Sequence, residues 1–229
     1  MSEHKSLAYF ITGTDTGTGK TLFACALIHS FAQQGFKSAG FKPVAAGCRL
    51  QHNMLISEDV ELLMAASNVA LPMAQLNSYA FASAIAPHIA AAQAGVEIKL
   101  QVIRQAYQKL VAQTDVVIVE GIGGFRVPLS DGLDTADLAE SLALPVILVV
   151  GMRLGCLSHA LLTAEAVRAR GLKLAGWVAN QIDPEMAAFD ENLLAIRQRL
   201  AAPCLGVLLW MQTADFRDAA KHLRLENLA

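Results

Sequence analysis

Residues 13–21 read GTDTGTGKT, with an apolar run ending just before them and a helical pattern opening at Lys20. A strand that passes through so glycine-rich a turn directly into a helix is the context of a phosphate-binding loop. Glycines let backbone N–H groups face an anion with no Cβ in the way, and the helix start adds the positive end of its dipole. In such a loop Lys20 reaches the β/γ-phosphates and the Thr21 hydroxyl holds Mg²⁺. The common spacing is G-x4-G-K-S/T; here Thr14 stands at the first glycine position and Gly13 precedes it by one.

The remaining sequence repeats the same alternation. Short β-rich runs predict strands over 9–12, 38–43, 116–120, 146–150, 175–180 and 205–209. Helical patterns fall between them, over 20–34, 58–66, 83–94, 97–112, 158–169 and 187–201. Several strand runs are apolar throughout, as expected where helices cover both faces of a parallel strand. Gly35 and Gly171 sit where C-cap glycines belong. The pattern predicts an α/β fold: a doubly wound, mostly parallel sheet flanked by helices, in the three layers of a P-loop NTPase. No internal repeat or Pro/Ser-rich linker divides residues 1–229, so a single domain is expected.

Composition narrows the function classes. Apolar residues make up 54% and charged residues 17%, which excludes a disordered chain. Lys plus Arg number 18 against 20 Asp plus Glu, for a net charge of −2, so no basic surplus points to nucleic acid. The longest apolar stretch, 142–152, contains Pro145 and Gly151 and is shorter than the ~20 residues a membrane span needs. No secretory signal pattern opens the chain. The four cysteines (Cys25, Cys48, Cys156, Cys204) form no CxxC pair, which fits a cytoplasmic protein without a zinc site.

In doubly wound sheets ligands bind beyond the carboxyl ends of the strands. Glu120 ends the third strand beside Gly121, a suitable place for a Mg²⁺ ligand beside Thr21. Asp59 opens a helix, where an acid is stabilised by the helix dipole whether or not it binds metal. Lys42 ends a strand before Pro43, which favours an extended backbone there. Aimed at the same edge as Lys20, it could stabilise charge on a transferring phosphoryl group; a solvated strand-end lysine reads the same way. His88 and His159 lie in apolar surroundings near helix starts and read as packing or capping residues.

Seven ordered blocks carry a more specific likeness: FITGTDTGTGKT, AGFKPVAAG, SEDVELL, APHIAAA, VVIVEGIGG, LPVILVVGMRLGCLSHALLTAEAV and AGWVAN. Together, from Tyr9 to about Trp210, they resemble the dethiobiotin synthetase family. The resemblance implies an ATP- and Mg²⁺-dependent ligase of biotin synthesis that joins CO₂ to 7,8-diaminononanoate. One amine becomes a carbamate, the carbamate takes the γ-phosphoryl group, and the second amine attacks the resulting anhydride to close a ureido ring. It further implies Lys42 and Lys20 as catalytic, and Thr21, Asp59 and Glu120 as metal ligands. ATP contacts are implied at Gly17, Thr18, Gly19, Lys20, Thr21, Leu22, Asp59, Glu120, Gly121, Ile122, Gly123, Asn180, Gln181, Leu209, Trp210 and Met211. Substrate contacts are implied at Thr16, Lys42, Ala46 and Asn192. Leu154, Gly155, Cys156 and Leu157 match a segment that reaches across a homodimer to the substrate's distal carboxylate, placing the site at the subunit interface.

The chain departs from the family pattern in places. Gly17 stands where many members carry glutamate, Ala46 replaces a Ser or Thr hydroxyl, and 83–85 lack a proline often found before APH. Gln181, Asn192 and Leu209 stand where Asp, Tyr and Pro are frequent. A lost hydroxyl contact costs about 0.5–1.5 kcal/mol, which weakens diamine binding without abolishing chemistry. Other readings of the same loop are a nucleotide-switched partner-binding ATPase, a cobyrinic acid amidating ligase and a paralogue with weakened activity. The first uses a lysine five residues before the loop lysine, where this chain has Asp15; the second needs an additional glutaminase domain.

Overall fold

The computed structural model describes residues 6–228. Strand β1 (Leu7–Gly13) leads through the glycine-rich loop into helix α1 (Lys20–Gln33), and β2 (Ser38–Phe41) follows. Three short strands come next, β3 (Val44–Ala46), β4 (Arg49–Gln51) and β5 (Met54–Ile56), then α2 (Glu58–Ala66), α3 (Met73–Leu76) and β6 (Tyr79–Phe81). Helices α4 (Pro87–Gln93) and α5 (Leu100–Val111) precede β7 (Val116–Gly124), β8 (Pro128–Ser130) and β9 (Leu133–Asp134). The remainder is α6 (Thr135–Leu142), β10 (Val146–Met152), α7 (Cys156–Ala169), β11 (Leu174–Gln181), α8 (Phe189–Arg199), β12 (Cys204–Leu208) and α9 (Phe216–Ala220).

Six strands form one parallel sheet in the order β12-β11-β10-β1-β7-β2. Side chains alternate across a strand, and the apolar runs therefore feed two cores. Phe10, Val117, Val119, Leu148 and Val150 join one cluster with residues of α4 to α8. Tyr9, Ile11, Val116, Ile118, Ile147 and Val149 join the other with Phe23 and Leu27 of α1 and Phe216 of α9. Each fully buried side chain of this kind contributes about 1.5–3 kcal/mol, which favours parallel strands over any arrangement that leaves one face wet. The three-layer α/β expectation holds. Among the described residues no helix is long and apolar enough to cross a membrane.

Boundaries move for local reasons. The helix expected over 83–94 begins only at Pro87, which is its first helical residue; proline lacks the N–H that an interior position needs. Residues 83–86 form a bend instead. The helix expected from 97 opens at Leu100, and the strand expected over 116–120 runs on to Gly124. Helix α6 went unpredicted, although Asp134 and Asp137 form a capping box at its start. The strand expected over 38–43 stops at Phe41, and Lys42 leaves the sheet with its N–H bonded to the Leu76 carbonyl.

Candidate active site

The carboxyl ends of β1, β2 and β7 meet at a cleft of about 750 Å³. The loop after β1 closes one side. Gly19 sits at φ +86, and a Cβ there would lie 2.1 Å from Nδ2 of Asn180, so only glycine fits. That amide donates to the Thr18 carbonyl at 2.9 Å and fastens the loop to β11. The backbone at Thr14 is fixed from the next strand, its N–H bonding Val149 and its hydroxyl accepting from the Gly151 N–H.

Lys20 lies under this loop, 7% exposed, with Nζ donating to the Asp15 carbonyl at 3.0 Å. Its pKa falls to about 8, chiefly through burial and then through the neighbouring Lys42 charge; Glu120, Asp59 and Asp15 offset part of this. A buried ammonium held mainly by one carbonyl still has donor capacity for an anion.

Lys42 is 3% exposed. Its Nζ sits 2.6 Å from Glu120 Oε1, 2.7 Å from Asp59 Oδ2 and 3.3 Å from the Gly121 carbonyl. Burial alone would discharge it, but the two carboxylates outweigh that and hold its pKa above the ordinary lysine value. Asp59 is held below the usual carboxylate range because Lys42 and the Thr21 hydroxyl outweigh its burial. This cluster is no solvated strand-end lysine.

Thr21 Oγ1 lies 2.8 Å from Glu120 Oε1 and 3.0 Å from Asp59 Oδ1, so three oxygens converge. The second Glu120 oxygen is buried with no hydrogen-bond partner. Two carboxylates and a hydroxyl, with one carboxylate oxygen unmatched, suit a hard cation such as Mg²⁺ that takes few protein ligands and keeps its waters. Among the described residues no group of three or more His, Cys, Asp or Glu side chains could hold a metal ion.

Thr16, Gly17, Gly19, Lys20, Thr21, Lys42, Ala46, Asp59, Glu120, Ile122 and Gly123 all line the cleft. Gly121 borders it through its bond to Lys42. Leu22 continues α1, half-buried. Toward β11, Gln181 Oε1 accepts from the Trp210 N–H at 3.2 Å, tying the segment of Leu209, Trp210 and Met211 beside Asn180. Leu209 and Trp210 are exposed. The structure does not bring Leu154, Gly155, Cys156, Leu157 or Asn192 to the cleft of the same chain. Leu154 stands 96% exposed ahead of α7, and Asn192 on α8 donates to the Ala188 carbonyl. The sequence reading missed an apolar wall of Ala84, Ile85, Ala86, Pro87 and Val127. Pro87 was the available signal for the bend; nothing local marked Val127.

A family profile described as an AAA domain matches residues 8–216. The ATP-dependent dethiobiotin synthetase BioD of Nitrosospira multiformis is 56% identical over 220 residues, 96% of each chain. That of Aromatoleum aromaticum is 56% identical over 218 residues, covering 95% of this chain and 97% of its own. That of Ralstonia nicotianae is 50% identical over 96% of both. Among solved structures, the MinC:MinD cell division protein complex of Aquifex aeolicus aligns with TM-score 0.53 at 13% identity, over 94% of this chain and 86% of that one. The signal recognition particle 54 kDa protein of Aeropyrum pernix, in complex with GDP, aligns with TM-score 0.52 at 13% identity, over 95% of this chain and 44% of that one. At such identities these structures speak to the fold alone.

Proposed function

This chain belongs to the dethiobiotin synthetase family, and from that premise we propose that its cleft performs the family's ligase reaction, closing a ureido ring on 7,8-diaminononanoate with CO₂ and ATP. The single observation that carries this reading is Lys42: a buried ammonium clamped between Asp59 and Glu120, facing the same cleft as Lys20. Among the described residues no histidine or cysteine lines that cleft, and its inventory suits positioning and charge neutralisation.

The loop N–H groups and Lys20 cradle the ATP phosphates, with Asn180 and the 209–211 segment toward the base. Thr21, Asp59 and Glu120 would hold Mg²⁺, which neutralises phosphate charge when bound. One substrate amine adds to CO₂ and loses a proton to become a carbamate. The carbamate oxygen attacks the γ-phosphorus and ADP leaves, while Lys20 and Lys42 offset the negative charge gathered on the oxygens. The second amine nitrogen then attacks the carbamate carbon and gives up a proton, the C–O bond to phosphate breaks with inorganic phosphate as the leaving group, and the ring closes. Thr16 and the apolar wall hold the diamine; Ala46 contributes surface but no hydrogen bond.

Residues 154–157 and Asn192 serve the cleft of a second copy in a homodimer. Leu154, Leu162 and Leu194, 96%, 61% and 55% exposed, support such a pairing, because apolar side chains that exposed gain by being covered. Residues 1–229 act as one catalytic unit, and the free cysteines fit the cytoplasm. Asp15 pairs with Arg153 at 2.6 Å and supplies no lysine, so nothing favours the switch ATPase.

The test is ADP release by the purified protein with ATP, Mg²⁺ and bicarbonate. Release that depends on the diamine supports the ligase; diamine-independent hydrolysis would support a switch ATPase. Lys20 adds a pH prediction. Titrating at about 8 before nucleotide binds, it is charged at neutral pH and loses its proton as pH rises. Because phosphate prefers the charged form, ATP affinity measured by calorimetry should weaken by up to roughly tenfold per pH unit above that value. A flat affinity through this range would contradict the role given to Lys20.

A further inference from the structure

Thr135 is not among the residues that line the cleft, yet its contacts lead there. Past Glu120, β7 ends at Gly123 and Gly124, and the chain turns through 125–127 into β8. Gly123 takes φ +62, and a Cβ on it would lie 2.8 Å from Val127 Cγ2 and 3.4 Å from Thr16 Oγ1. Gly123, Val127 and Thr16 therefore meet at one side of the cleft, in contact close enough that a displaced Val127 changes the cleft's shape.

One residue holds Val127 in place. Thr135 is fully buried, and its Oγ1 accepts from the Val127 N–H at 3.0 Å while its hydroxyl hydrogen is shared between the Phe125 carbonyl at 2.7 Å and the Gly124 carbonyl at 3.2 Å. Its own N–H donates to the Val127 carbonyl at 3.0 Å. The turn is thus cross-braced on both sides by the first residue of α6. That helix is itself anchored by the Asp134–Asp137 capping box and by Arg170, whose Nη1 lies 2.6 Å from Asp137 and 3.2 Å from Glu140.

The braced wall has a chemical preference. Val127, Ile122, Ile85 and Ala46 present hydrocarbon, whereas Lys20, Lys42, Asp59 and Glu120 concentrate the charge. Polyphosphate belongs on the charged side, and a carbon chain carrying amines belongs against the apolar one. We infer that Thr135 is a positioning residue for the diamine, acting through Val127 on the apolar wall and leaving the nucleotide side untouched. The inference rests on the ligase reading of the cleft.

Thr135→Val keeps the side-chain volume and removes the hydroxyl from the Val127 N–H and from the Phe125 and Gly124 carbonyls. Steady-state kinetics should then show KM for the diamine raised about fivefold or more, with kcat and KM for ATP within about twofold of wild type. Thr135→Ser keeps the oxygen and should restore the diamine KM. Val127→Ala truncates the wall itself and should produce the same split even if Thr135→Val folds poorly. A folded Thr135→Val with wild-type diamine KM overturns the inference, as does a Val127→Ala variant whose diamine KM is unchanged, or equal loss in kcat and in both KM values. Wild-type turnover with the diamine is the control. Its absence sinks the ligase reading and this inference with it, whereas turnover indifferent to Thr135→Val sinks this inference alone.

Discussion

Lys42→Ala should lower kcat by about 10²–10³-fold while ATP still binds, the scale found when one preorganised donor is removed from a transition state. Its Nζ is fixed by Glu120 at 2.6 Å and Asp59 at 2.7 Å before any substrate arrives, so its charge needs little reorganisation as the phosphoryl group moves. Lys20 remains under the loop, and the ATP dissociation constant should change only several-fold. The substitution also leaves Glu120, 1% exposed, without its ammonium. Removing one partner of a buried ion pair costs about 3–5 kcal/mol, so the melting temperature should fall as well. Part of that loss should return with Mg²⁺, since a divalent cation at the same oxygens replaces the missing charge. Turnover within a few-fold of wild type would make Lys42 a structural counter-ion and remove it from the chemistry.

The second large effect belongs to Glu120. Glu120→Gln keeps the shape and discards the charge, and the Mg²⁺ concentration for half-maximal ADP release should rise at least about tenfold, with a lower plateau. Its Oε1 lies between Thr21 and Lys42, and its other oxygen has no hydrogen-bond partner, so the amide disturbs both the lysine clamp and the cation's oxygen set. Asp59→Asn should shift the same titration less, because the Asp59 side chain is 41% exposed and water can stand in for it. An unchanged Mg²⁺ titration in Glu120→Gln would remove that carboxylate from the metal site.

The sequence made some of this legible and hid the rest. Continuous apolar runs at 116–119 and 146–150 announce buried parallel strands, because a strand covered on both faces has no polar side to display. The order of those strands was not legible. β1 lies between β7 and β10, partners more than a hundred residues away, and no local periodicity encodes that choice. Lys20 and Thr21 could be read from loop spacing alone. Lys42 and Asp59, read as residues alone, match a solvated lysine and a helix-start acid equally well; the family resemblance singles them out, and the fold sets them 2.7 Å apart. The apolar wall escaped notice because 83–86 continue a helical pattern that Pro87 in fact begins, and because Val127 owes its position to Thr135, eight residues later and already in another helix. Residues 154–157 and Asn192 stay apart from the cleft within one chain.

In the proposed reaction, carbon from CO₂ is fixed into the diamine at the expense of ATP. Labelled bicarbonate supplied with ATP, Mg²⁺ and 7,8-diaminononanoate tests it most directly. Acid-stable label is expected in the ring product, one per ADP released, and none when the diamine is omitted. ADP formed at the same rate without the diamine, or formed with no stable label, would contradict it.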